Sequence, residues 1–143
     1  LDDAEGNKVS LNDFAGNVVV IDMWATWCKP CMMALPYLDE VYKWAKNHKS
    51  ANLIQIFPIH VWGQGSNEKI IKEALDSFSK NNISMKSLFS FDDKFPSTYG
   101  VSGIPALFVI GKTGKIVSTH SGFSNPEKYT SEIKSDILKA LNE

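Results

Sequence analysis

Cysteine is scarce in this chain: only Cys28 and Cys31 occur, so no framework of disulfides can hold the fold, and an apolar core must do so instead. No stretch reaches the roughly 18 consecutive apolar residues that a membrane-spanning helix needs. No charge of one sign dominates, since the formal net charge is −1 over 143 residues with both signs interspersed. That balance leaves no electrostatic footprint for nucleic acid and no polybasic patch for a membrane surface, and a protein or small thiol is the expected partner. Internal repeats, low-complexity tracts and long linkers are missing too. A single domain over residues 1–143 is therefore expected, with 43% hydrophobic residues to build its core. The chain opens on Leu1 and passes at once into folded-domain sequence. Any membrane attachment is accordingly expected only through a removed N-terminal signal or anchor.

What is present is organised around one stretch, Val18-Val19-Val20-Ile21-Asp22-Met23-Trp24-Ala25-Thr26-Trp27-Cys28-Lys29-Pro30-Cys31. Its β-branched run predicts a strand buried on both faces, the two cysteines follow a short turn, and a helical pattern begins at the second one. Two sulfurs separated by two residues on a first helical turn are close enough to bond. The unpaired N–H groups and positive dipole end of the helix stabilise a thiolate there.

Before that stretch, residues 1–16 predict a short hairpin or loop, then a helical turn opened by the capping-box pattern Ser10-Leu11-Asn12-Asp13. Beyond Cys31, Leu35, Leu38, Tyr42 and Ala45 keep helical spacing to about Asn47, with Pro36 expected to kink the helix. Residues 52–61 predict a second buried strand, ended by Trp62-Gly63-Gln64-Gly65. Ser66 can cap a helix with Ile70, Ile71, Ala74, Leu75 and Phe78 on its apolar face. Residues 86–91 predict a short strand or extended segment and residues 95–99 a helical turn. Ala106 to Ile110 and Lys115 to His120 predict a hairpin, and Asn125-Pro126 starts a last helix with Tyr129, Ile133, Ile137 and Leu141 on one face. Strands alternating with helices indicate an α/β fold: a central mixed sheet flanked by helices on both faces.

The dithiol admits three readings. A stapling disulfide would close too short a loop to remove much unfolded-state entropy. Half of a zinc site would need two more ligands, and His48, His60 and His120 show no ligand spacing, so no metal is expected. Redox use is favoured, with Cys28 as the nucleophile, its sulfur exposed ahead of the first turn, and Cys31 as the more buried resolving thiol. Lys29 adds a nearby positive charge, and Pro30 stiffens the turn with its fixed φ. Asp22 interrupts a dry strand, where a carboxylate is costly unless its pKa rises or a partner is present. Trp27 is expected beside Cys28 as an apolar docking surface and Trp24 in the core. Met32 and Met33 are expected to pack or to touch a partner without any metal. Trp62 and its glycine loop either line the substrate face or simply end a strand.

These residues resemble the thioredoxin-like proteins: Trp24-Ala25-Thr26-Trp27-Cys28-Lys29-Pro30-Cys31, Pro36, Gly103-Ile104-Pro105 and Gly122 stand in the order and spacing of that family. The opening Gly6-Asn7-Lys8-Val9-Ser10-Leu11 and the long segment between Asn67 and Phe95 are similar to the membrane-tethered, extracytoplasmic TlpA/ResA branch. The resemblance implies a thioredoxin fold with a short N-terminal extension and an inserted helix and strand. It also implies a thiol-disulfide oxidoreductase whose only redox group is the Cys28–Cys31 pair. Asp22 would be the proton acceptor for Cys31. Pro105 would be cis, and Ile104 would offer its backbone to an extended substrate segment.

The expected substrate is a disulfide-containing extracytoplasmic protein, and the expected electron donor is a membrane thiol transporter or another thioredoxin-like protein; a monomer is expected. Pro30 stands where oxidases of the superfamily often carry histidine, which favours a reductant or exchanger over a net oxidase or isomerase. A dithiol metal chaperone is the alternative of another class. Ala34 departs from the branch, whose cytochrome c maturation reductants carry glutamate there, so haem attachment is not implied while dithiol chemistry is.

Overall fold

The computed structural model describes residues 1–143. Five strands form one sheet in the order β3-β2-β1-β4-β5, with β1 at Val18–Trp24, β2 at Ile54–His60, β3 at Leu88–Phe89, β4 at Ala106–Ile110 and β5 at Ile116–Ser121. β1 runs parallel to β2, and β2 to β3, whereas β4 is antiparallel to both β1 and β5. The sheet is thus mixed, as the alternating pattern predicts. Every residue of β1 is buried, which is why that strand can be a nearly continuous apolar run.

Alternation along β1 divides the core in two. Val18, Val20 and Trp24 face the layer made by α1 (Lys29–Lys46), α2 (Asn67–Lys80) and α4 (Pro126–Leu141). Val19, Ile21 and Met23 face a smaller layer closed by Leu11 and Phe14 of a short 3-10 turn, by Phe95 of α3 (Lys94–Thr98) and by Tyr99 just after it.

The N-terminal extension protects an open edge. Asp2 and Phe89 exchange both backbone hydrogen bonds, at 3.0 and 2.8 Å, so the chain start covers the outer side of β3. The capping box forms as predicted: Asn12 N–H donates to Ser10 Oγ at 3.3 Å and Ser10 N–H to Asp13 Oδ2 at 3.2 Å.

Several boundaries differ from the sequence pattern. α1 begins at Lys29, one turn edge earlier than the second cysteine, because Cys28 itself caps it. It continues through Pro36 to Lys46. The segment Ala51–Leu53 forms a 3-10 turn instead of opening β2, and β3 shrinks to two residues because it pairs only with Ile59 and His60. On α2 only Ile70, Ala74 and Phe78 are buried, and Leu75 is exposed. These three lie on one i, i+4, i+8 line ending where Phe78 stacks on Trp24 at 4.9 Å, and half-buried Ile71 packs beside them. On α4, Ala140 takes the buried place expected of Leu141, which is half-buried.

Candidate active site

The turn Ala25-Thr26-Trp27-Cys28 carries the chain from the end of β1 into α1, closed by Cys28 N–H donating to Ala25 O at 3.1 Å. Cys28 then sits at the N-cap, with extended backbone, and its Sγ accepts from Cys31 N–H at 3.2 Å. Sulfur here takes the place that a serine or threonine oxygen fills in ordinary caps. Pro30, in the first turn, costs no hydrogen bond, because N–H groups there have no intrahelical partner. Cys28 and Cys31 form a disulfide with their Cα atoms 5.2 Å apart.

Cys31 is fully buried, and Cys28 retains only 4% exposure, against the expectation of an open sulfur. The Ile104-Pro105 loop closes over it. The carbonyl oxygen of Ile104 lies 3.7 Å from Cys28 Sγ across 76 positions of chain. The Ile104–Pro105 peptide bond is cis. Pro105 O accepts from Gly122 N–H at 2.9 Å, and Gly122 lies at φ +72°, a conformation that glycine adopts without steric cost. This ties the end of β5 to the loop that faces the dithiol.

Trp27 is 55% exposed, yet its indole N–H donates to Trp62 O at 3.0 Å. Gly63, next in the turn, packs closely on α2, where a Cβ would lie 2.6 Å from Ile70 Cδ1. Lys29 and Pro30 are exposed on the first turn, and Trp24 is fully buried. Met33 is exposed, whereas Met32 packs inward and its sulfur accepts from Ser77 Oγ at 3.7 Å.

Asp22 is enclosed in β1 beneath this surface, paired in register with Pro58 and Leu107. Neither carboxylate oxygen has a hydrogen-bond partner, and desolvation pushes its pKa up to about 8.

His60 is buried as well, and burial lowers its pKa to about 4. Its Nε2 stands 3.4 Å from Thr26 N–H, and its ring lies edge-on to Trp24 at 4.9 Å. It therefore works as a neutral acceptor that steadies the turn before Cys28. His48 and His120 lie in other elements, and no group of three or more His, Cys, Asp or Glu is placed to hold a metal ion.

The structure thus brings together Trp27, Cys28, Cys31, Ile104 and Pro105, with Asp22 inside the strand that leads into the dithiol. Two contributors escape sequence reasoning. The Trp62 carbonyl carries no side-chain signal, although a glycine after a large aromatic hints at a tight turn. The buried hydroxyl of Tyr129 is hidden in an ordinary amphipathic pattern.

Comparison with known proteins agrees with this geometry. The Redoxin family matches residues 1–137. The thiol-disulfide oxidoreductase ResA of Bacillus thuringiensis subsp. konkukian (strain 97-27) is 32% identical over 143 residues, covering 92% of this chain and 70% of the relative. The crystal structure of a candidate thiol:disulfide interchange protein DsbE from Chlorobium tepidum superposes with a TM-score of 0.80 at 27% identity, over 99% of this chain and 91% of that one. The exposed lipoprotein thioredoxin Etrx1 of Streptococcus pneumoniae strain TIGR4 superposes with a TM-score of 0.71 at 26% identity, over 94% and 96%.

Proposed function

Since this chain belongs to the Redoxin family and is a thiol-disulfide oxidoreductase of thioredoxin fold, we propose that it reduces or exchanges disulfides in extracytoplasmic proteins, with Cys28 attacking and Cys31 resolving. The observation that carries this assignment is the cap: Cys28 Sγ accepts the Cys31 amide at 3.2 Å, at the positive end of an 18-residue helix. A thiolate at Cys28 is stabilised by that amide and by the helix dipole, and the exposed Lys29 adds to both.

In the first step the Cys28 thiolate attacks one sulfur of the substrate disulfide, forming a mixed disulfide and expelling the other substrate sulfur as a thiolate. In the second, Cys31 loses its proton to Asp22 and attacks Cys28 Sγ. The Cys28–Cys31 disulfide forms, and the second substrate thiolate leaves. The substrate gains two electrons and, from Asp22 and solvent, two protons. A carboxyl poised near pH 8 suits an acceptor that must take a thiol proton and give it up again.

An extended substrate segment lies against Ile104 and Pro105, whose loop borders a groove that also reaches Thr119 to Gly122 of β5 and its end. Trp27 supplies an apolar wall on the other side.

The protein acts as a single monomeric domain whose redox group is the dithiol itself. Its reducing equivalents come from a membrane thiol transporter or another thioredoxin-like protein. Likeness to an exposed pneumococcal lipoprotein supports the extracytoplasmic setting. Pro30 between the cysteines, in place of histidine, supports the reducing direction.

Equilibration with glutathione tests the direction: a reducing potential is expected, and a strongly oxidising one would overturn the reductant assignment. Trapping with Cys31→Ser in the native host identifies the substrates.

A further inference from the structure

Asp22 presents an unmet demand. It is 1% exposed, and both of its oxygens lack a partner within the protein, although a buried carboxylate is stable as an anion only with donors around it. Alternation in β1 turns Asp22 toward the same layer as Val20 and Trp24, the layer to which α4 contributes Tyr129, Ile133 and Ile137. Tyr129 is 8% exposed there, and its hydroxyl is likewise enclosed without a partner.

The two orphans are complementary, because a carboxylate only accepts and a phenol donates. Packing holds the phenol in place: Phe123 meets the Tyr129 ring edge-on at 5.1 Å and itself stacks on Tyr37 of α1 at 5.6 Å. Tyr129 also lines an open cleft of about 300 Å³ formed by Thr119 to Asn125 and the first turns of α4. The residue therefore borders the cleft while its hydroxyl stays enclosed. Burial, and secondly the charge of Asp22, hold the phenol far above the ordinary tyrosine range, so it remains a donor at every working pH.

We infer that Tyr129 is the positioning residue for Asp22: its hydroxyl donates to the carboxylate through one buried water, which steadies the anion that takes the proton from Cys31. One water with two or three polar partners would satisfy all three orphaned atoms. The inference rests on Asp22 being the proton acceptor. In the transfer the Cys31 S–H bond breaks and the carboxylate is protonated. The carboxyl then releases that proton to water, and Tyr129 ends as it began.

The other titratable groups around this layer are Cys28, Cys31, His60 and, on α1, Tyr37, Asp39 and Tyr42, with His120, Lys128 and Glu132 at the cleft. None of them bonds to Asp22 or Tyr129, and His120 is engaged with Asp136 at 2.8 Å.

The test is Tyr129→Phe in the full chain, which keeps the ring and removes the donor. Two readouts follow the Asp22 proton: the pH dependence of Cys31 attack on a preformed mixed disulfide, and ¹³C-carboxyl titration of Asp22. Loss of one hydrogen bond to a charged group should raise the midpoint by about one pH unit and slow the step at pH 7 roughly tenfold. Site-specific 3-fluorotyrosine at position 129, a stronger donor of nearly the same shape, should lower the midpoint. It serves if Tyr129→Phe does not fold. A midpoint unmoved in the folded variant overturns the role of Tyr129. Asp22→Asn separates the two assignments, because a kinetic midpoint that survives that substitution would refute Asp22 as the acceptor whatever Tyr129 does.

Discussion

The indole N–H of Trp27 reaches across 35 positions of chain to the carbonyl of Trp62 at 3.0 Å, so the residue before the dithiol is anchored to the turn that leaves β2. Trp62 holds φ +51°, a left-handed conformation that costs a bulky residue about 1–2 kcal/mol. An exposed aromatic fixed in this way meets a substrate with little entropy left to lose.

Trp27→Phe keeps the apolar wall and removes the anchor. Loss of a hydrogen bond of about 1 kcal/mol predicts a roughly fivefold rise in KM for a protein disulfide. KM should rise more than kcat falls. Steady-state kinetics on reduction of insulin would check this, and an equal loss in both constants would remove the docking role.

The two cysteines should fail differently. Cys28→Ser is expected to abolish turnover, because the thiol that remains, Cys31, is fully buried and does not reach a substrate disulfide. Cys31→Ser leaves the attacking sulfur in place and should accumulate mixed disulfides, visible as reductant-sensitive adducts in mass spectrometry. Retained activity in Cys28→Ser would overturn the nucleophile assignment.

Asp22 accepts a proton only as a carboxylate, and burial pushes its pKa up to about 8. The resolving step should therefore accelerate as pH rises toward 8. Asp22→Asn should slow release of the reduced partner more than the first attack. Rapid-mixing measurements of the two steps would show this, and equal slowing of both would count against the proton role.

The same burial predicts a pH-dependent stability. Asp22 binds its proton more tightly folded than unfolded, so its contribution is fully present below about pH 4 and is lost as pH rises toward 8. His60 runs the other way: with its folded pKa lowered to about 4, its contribution is present above about pH 6.5 and is lost as pH falls through 4. The two slopes oppose each other between about pH 4 and 6.5, and the decline due to Asp22 stands alone above that range. Chemical denaturation of the oxidised protein should show a falling stability from pH 6.5 to 8 that Asp22→Asn flattens.

Asp39 of α1 links the helix to the segment inserted after α2. Its buried carboxylate accepts from Ser84 N–H at 2.9 Å and Met85 N–H at 3.2 Å, and Lys43 Nζ lies 3.4 Å away. Asp39→Ala would leave two backbone donors stranded and should cost about 3 kcal/mol. Urea denaturation measures the loss, and a change under 1 kcal/mol would show that the segment is held by apolar packing instead.

Much of this architecture was legible from residue types alone. A run such as Val18 to Ile21 buries only as a central strand, Ser10 with Asp13 announces a cap, and Cys-x-x-Cys after a strand places a dithiol on a first turn. Such features depend on neighbours in the chain, whose spacing the polypeptide itself dictates. Element ends were less legible. Cys28 became the cap of α1 through its sulfur, and Leu75 fell outside the buried line of α2 that Ile70, Ala74 and Phe78 form.

The chain order of its residues thus determined the dithiol, the buried strand that carries it and the carboxylate interrupting that strand. Tertiary structure alone decided that Ile104 lies against Cys28, that Trp62 holds Trp27, and that Tyr129 shares a layer with Asp22. Those pairs stand 76, 35 and 107 positions apart in the chain. No local periodicity encodes such distances. They arise only when the sheet register and the helices packed on it settle together, since burial of apolar surface is what selects one arrangement of the elements over the others.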